Sequence, residues 1–116
     1  MAVIASTHTD LSGAIGRASL FTWAALATSD TGAPMNSSAF ADRSVQVNGT
    51  FGGSTVTIEG SNDGVNYTTL SDTAGVALSF TSAGLKQILQ ITRYIRPLVT
   101  GGAAAAVNVN LLAVGK

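Results

Sequence analysis

The chain has 116 residues, 46% apolar and 10% charged, and its six Lys and Arg balance six Asp and Glu. That length holds one core rather than two, no apolar run approaches the ~20 residues of a membrane-spanning helix, and the absence of cysteine excludes disulfides and thiol chemistry. A charged fraction so far below the usual ~25% leaves little repulsion between copies, and it suits a surface covered by other copies or by a larger partner.

Residues 1–17 show no periodicity and are read as an extended N-terminal arm preceding one domain over 18–116. The N-terminal Met1-Ala2-Val3-Ile4-Ala5-Ser6-Thr7-His8 lacks the basic start and long apolar stretch of a signal peptide, so synthesis in the cytoplasm is expected. The stretch 18–26 reads as a strand that is apolar on both faces. In 43–59, Val45 and Val47 alternate with polar residues, as do Val56 and Ile58, and Gly52-Gly53 offers the positive φ angles of a tight turn. This predicts a β-hairpin.

Ser61-Asn62-Asp63-Gly64 predicts a turn, 65–70 a short strand carrying Tyr67, and 72–75 a further turn. Val76, Leu78 and Phe80 then alternate. Leu85, Ile88, Leu89 and Thr92 follow a helical spacing, which predicts a single helical turn across one end of the domain. In the strand expected over 93–100, Pro97 cannot donate to a ladder, so an edge position or a bulge is expected. Gly101-Gly102 breaks the chain, 103–106 is a small alanine loop, and Val107, Val109 and Leu111 alternate with Asn108 and Asn110 in a last strand. About seven or eight strands with turns at this spacing make an all-β fold, an antiparallel β-sandwich or jelly roll.

Catalytic groups are scarce. The single histidine, His8, falls in the arm, so a Ser/His/Asp or Cys/His relay lacks an orientable base. No Cys/His/carboxylate set has zinc spacing, and no glycine loop has the Lys-Ser/Thr that cradles phosphate. Asp30, Asp42, Asp63 and Asp72 sit in turn-like sequence, where aspartate bonds local amides, and Glu59 lies on the polar face of a strand. The 62–66 turn lacks the further acidic ligands of a calcium loop. Arg17, Arg43, Lys86, Arg93, Arg96 and Lys116 are too dispersed for a nucleic-acid stripe. No enzyme activity is expected, with no catalytic, cofactor-binding or metal-ligating residue, no cofactor, and neither nucleic acid nor membrane as partner. Phe21, Trp23, Phe40, Phe51, Tyr67, Phe80 and Tyr94 are mostly core candidates, with Trp23 and Phe40 open to an interface.

The stretch Asp42-Arg43-Ser44-Val45-Gln46-Val47-Asn48-Gly49-Thr50-Phe51-Gly52-Gly53, resumed at Thr55-Val56-Thr57-Ile58-Glu59-Gly60-Ser61-Asn62-Asp63-Gly64, resembles a family of small tailed-phage head proteins. Leu78-Ser79-Phe80-Thr81-Ser82-Ala83-Gly84, Arg93-Tyr94-Ile95-Arg96-Pro97-Leu98-Val99-Thr100-Gly101-Gly102, Thr22-Trp23 and Asp30-Thr31-Gly32-Ala33-Pro34 extend the likeness over 18–114. The resemblance implies a capsid decoration, or cement, protein on the outside of the head, where it bridges capsomers. Its partners would be the major capsid protein and further copies of itself, as dimers or trimers; the low charge and the apolar strand over 18–26 favour an oligomer, with a trimer slightly ahead of a dimer. The run Gly60-Ser61-Asn62-Asp63-Gly64-Val65-Asn66-Tyr67 is also similar to a turn of discoidin-type carbohydrate-binding sandwiches, which implies glycan or cell-surface binding. A tail or fibre component of the virion is the third reading.

Overall fold

The computed structural model describes residues 2–11 and 17–115, with only the backbone at Arg17, and every regular element in it is a strand. In chain order these are β1 (Val3–Ile4), β2 (Thr7–Asp10), β3 (Arg17–Leu26), β4 (Thr31–Gly32), β5 (Met35–Asn36), β6 (Asp42–Thr50), β7 (Thr55–Ser61), β8 (Thr68–Thr69), β9 (Ser79–Phe80), β10 (Gly84–Gln87), β11 (Tyr94–Thr100) and β12 (Ala106–Gly115). One sheet runs β1-β4-β11-β7-β8, with β5 also on β11 and β9 also on β7; the other runs β10-β6-β12-β3-β2. The sequence-predicted sandwich is the observed fold, and two- to four-residue strands account for the larger strand number.

The core lies between the sheets. Period-two alternation turns Trp23, Val45, Val47, Val107, Val109, Leu111 and Ala113 inward from one sheet and Val56, Ile58, Ile95 and Val99 from the other, each at most 1% exposed. Each such Val, Leu or Ile contributes ~1.5–3 kcal/mol by leaving water, so this layer is the main stabilising term. In β3 the alternation slips. Leu26 pairs with Val107 and Trp23 with Val109, so Ala24 and Ala25 stand opposite Asn108 alone. Ala25 takes φ 56, and its N–H donates to Asn108 Oδ1 at 3.0 Å. This bulge returns Leu26 to the core and explains why the segment reads as apolar on both faces.

Three sequence expectations are corrected. β6 and β7 do not form a hairpin, because β6 pairs with β10 and β12 whereas β7 pairs with β8, β9 and β11. Gly52 and Gly53 do take positive φ (57 and 82), but their turn carries the chain from one sheet to the other. There it interlocks with the 101–104 turn: Ala103 N donates to Gly52 O at 2.9 Å, and Ser54 Oγ donates to Gly101 O at 2.6 Å. Residues 84–87 are a strand, not a helical turn. Leu85 points outward and Ile88 inward, and Ile88 N donates to Arg43 O at 2.9 Å, so pairing with β6 overrides the weak helical spacing. Pro97 sits at neither an edge nor a bulge. The N–H and C=O of Val99 face the β4 side, bonding Asp30 and Ser29, so by alternation the missing donor at Pro97 faces that side too. There the neighbouring strand is interrupted between β4 and β5.

The described part of the arm, residues 2–11, pairs within the chain. β1 lies parallel on β4, and β2 lies antiparallel on β3, so the arm touches both sheets. The rest of the 1–17 arm lies outside the described residues, apart from Ala2, Ala5, Ser6, Leu11 and the backbone of Arg17.

Candidate functional surfaces

The two outward sheet faces differ in chemistry. On the five-stranded sheet, the register lines side chains into rows straight across the strands. One row runs Thr9, Leu20, Leu112, Ser44, Gln87, and the next runs Thr7, Thr22, Asn110, Gln46, Leu85. Ala18, Val114 and Asp42 flank the first row. Among the described residues of these strands, Asp42 at the rim is the one charged group whose position in the alternation falls on this face. The polar groups are partly paired: Thr22 Oγ1 donates to Asn110 Oδ1 at 2.8 Å, and Asn108 Nδ2 donates to Asn48 Oδ1 at 3.3 Å.

The outward face of the other sheet carries arginine, tyrosine and glutamate. Arg96 Nε donates to Glu59 Oε1 at 2.9 Å, and the Arg96 guanidinium lies 3.7 Å from the centre of the Tyr67 ring. Arg93 covers Tyr94 at 5.0 Å. Loss of solvent around Tyr67 pushes its hydroxyl pKa up, against the pull of the Arg96 charge. A shallow hollow beside this face is lined by Ser61, Asn62, Asn66, Thr69, Gln90 and Thr92, among others.

Asp30, Asp63 and Asp72 do bind local amides, whereas Asp42 opens strand β6 rather than sitting in a turn. Asp63 Oδ1 accepts from Val65 N, Asn66 N and Ser61 Oγ, each at 2.8 Å, and its Oδ2 accepts from Asn66 Nδ2 at 2.8 Å. Asp72 Oδ1 accepts from Ala74 N and Val76 N, and Lys86 Nζ lies 3.6 Å from Oδ2. Asp30, nearly buried, accepts from Ala27 N and from Ala2 N of the arm. Among the described residues, no three His, Cys, Asp or Glu side chains cluster as a metal site would require. His8 stacks on Phe21 with ring centres 4.6 Å apart.

The suggestion that Trp23 belongs to an interface is overturned. Its side chain is fully buried, and its Nε1 donates to Ala33 O at 3.0 Å. Phe40 is half-buried against the core. Sequence reasoning missed Leu20, Leu85, Leu112 and Val114. The signal was present in the last strand, where the outward positions Asn108 and Asn110 give way to Leu112 and Val114.

No protein-family model and no curated protein matches the chain. Solved structures do. The SPBc2 prophage-derived protein YomS superposes with a TM-score of 0.67 at 14% identity, over 90% of this chain and 100% of its own. The PBSX exported protein XepA gives 0.64 at 16% identity, over 84% of this chain but 38% of XepA, so the chain spans well under half of that protein. Peruvianin-I, a cysteine peptidase from Thevetia peruviana latex, gives 0.50 at 12% identity. At these identities the likeness is one of fold, and a fold shared with a peptidase does not by itself select a function.

Proposed function

We propose that the chain is a structural virion protein, a capsid decoration protein that lies on the outside of a phage head as a homo-oligomer and stabilises the shell. The observation that carries this reading is the broad, almost uncharged outward face of the five-stranded sheet, a surface suited to lasting contact with protein. The fold held in common with YomS and XepA supports it, as does the sequence resemblance over 18–114.

In this reading the Tyr67, Tyr94, Arg93 and Arg96 face meets the capsid protein, since tyrosine and arginine anchor interfaces more often than other residues do. Each contact is modest, and an oligomer that engages several capsomers at once gains effective concentration. The protein would be made in the host cytoplasm and reside on the capsid surface, with no cofactor and no catalytic step.

A role in a tail or fibre is the second reading, favoured by the recurrence of the fold as one part of the longer XepA. Glycan binding is less well served, because sugar stacking uses a bare aromatic face and Arg96 lies over that of Tyr67. Cosedimentation separates the three. Decoration predicts that the purified protein pellets with empty heads and not with tails or polysaccharide. Pelleting with polysaccharide alone, or with tails alone, overturns it.

A further inference from the structure

The outward face of the five-stranded sheet holds a knob beside its own hollows. Leu85 on β10 is 65% exposed. Next to it a hollow of about 270 Å³ is lined by Leu20, Ser44, Gln46, Leu85, Asn110 and Leu112. A second hollow, of about 140 Å³, adjoins it through Ser44 and Leu112 and reaches the rim at Asp42 and the buried Arg43. We propose that this face binds a second copy of the chain, face to face about a two-fold axis, with Leu85 of each copy seated against Leu20 and Leu112 of the other.

Three properties select this occupant. The first is charge. A charged partner would lose hydration here without gaining an ion pair, whereas a second copy brings an equally uncharged face and keeps Asp42 at the rim. The second is area. Five strands ~4.8 Å apart and about seven residues long at ~3.3 Å each present ~550 Å² per copy, so a pair buries about 1,100 Å², near the lower limit for a specific interface. The third is hydrogen bonding. Thr22 with Asn110, and Asn48 with Asn108, are paired already, so covering them strands few polar groups. A two-fold contact also requires protrusion and hollow on the same patch, and this patch has both. The stoichiometry it implies is two rather than three.

This inference rests on the reading of the chain as an oligomeric structural subunit, but its readout needs no capsid. Sedimentation velocity at micromolar concentration should give twice the 11.7 kDa chain mass. Leu85→Glu and Gln46→Glu, both at exposed sites, bring like charges together across the axis. They should weaken association at least about tenfold (~1.4 kcal/mol) while the β-type circular dichroism spectrum persists. Thr57→Glu, on the outward side of the other sheet, should dimerise as the parent does. A monomeric parent chain, or variants that associate undiminished, overturns the proposal. A monomer that loses capsid binding on Leu85→Glu also overturns it, and assigns the face to the shell.

Discussion

Gly32 lies so close to the Pro97 ring that a Cβ at position 32 would stand 2.5 Å from Pro97 Cδ and 2.7 Å from Trp23 Cδ1. The three residues join β4, β11 and the opposing β3 at the site where the sheet neighbour of β11 is interrupted. Gly32→Ala should therefore cost about 1–3 kcal/mol by overpacking, read as a fall in melting temperature of ~4 °C for each kcal/mol. Pro97→Ala in the same chain should recover part of that loss. An unchanged melting temperature for Gly32→Ala would show that the ring yields freely.

Arg43 gives a prediction of the opposite sign. It is 2% exposed; one terminal nitrogen, Nη2, donates to Gln90 O, while Nε and Nη1 have no partner among the described residues. Burial pushes its pKa below the ordinary arginine value, with the Asp42 charge opposing. A cation whose folded pKa is depressed is a penalty at every pH below both its folded and unfolded values. Arg43→Met should therefore leave stability unchanged or raise it by up to about 2 kcal/mol, with a constant difference over roughly pH 4–9, where arginine does not titrate. Denaturant melts measure this, and a loss above ~1 kcal/mol would mean that the guanidinium is better satisfied than its contacts indicate.

The strands were largely legible in the sequence, and their partners were not. Val45, Val47, Val56 and Ile58 announce two strands and an inward face, but alternation is the same whether the next strand joins its neighbour or crosses to the other sheet. The Gly52-Gly53 turn fits both outcomes, and the decisive contact, with Ala103, is remote in sequence. Leu85 and Leu89 misled because two apolar residues aimed at solvent beside the buried Ile88 mimic a helical repeat. The broad uncharged face was foreshadowed by composition alone; its rows emerge only once β3, β6, β10 and β12 are in register.

Acid should loosen two turns. The Asn66 and Val65 N–H groups, then the Asn66 amide and the Ser61 hydroxyl, hold Asp63 well below the usual carboxylate range. The Val76 N–H also lowers the Asp72 pKa, opposed by lost solvation and helped by Ala74 and Lys86. With folded pKa values depressed, the unfolded chain takes up protons first as pH falls. The melting temperature should be level over roughly pH 5–8 and decline below ~pH 4. Asp63→Ala should melt lower at neutral pH and show a shallower decline; coincident profiles would contradict this. Since local donors already occupy both Asp63 oxygens, EDTA and calcium should leave the neutral melting temperature unchanged.

The arm carries the last prediction. The sequence sets it apart from the domain, yet its described residues are bonded to the edges of both sheets. Ala2 N donates to Asp30 Oδ1 at 3.2 Å, Thr31 N donates to Ala2 O, and Ala33 N donates to Ile4 O. Ile4 packs on the core, and β2 covers β3 with His8 on Phe21. Deleting residues 2–10 would remove these contacts, leave one oxygen of a nearly buried carboxylate without its donor, and open the edge of β3 over the stretch Ser19 to Thr22 that β2 covers. Each lost hydrogen bond is worth ~0.5–1.5 kcal/mol, so the melting temperature should fall by more than ~5 °C while the β spectrum persists. The bared edge should also aggregate with rising concentration. Asp30→Ala, which releases Ala2 and Ala27 together, should reproduce part of the loss in the full-length chain. A truncated chain that melts with the parent and stays dispersed would show that β1 and β2 add nothing to the fold. They would then be available to pair with the sheet edge of a neighbouring subunit.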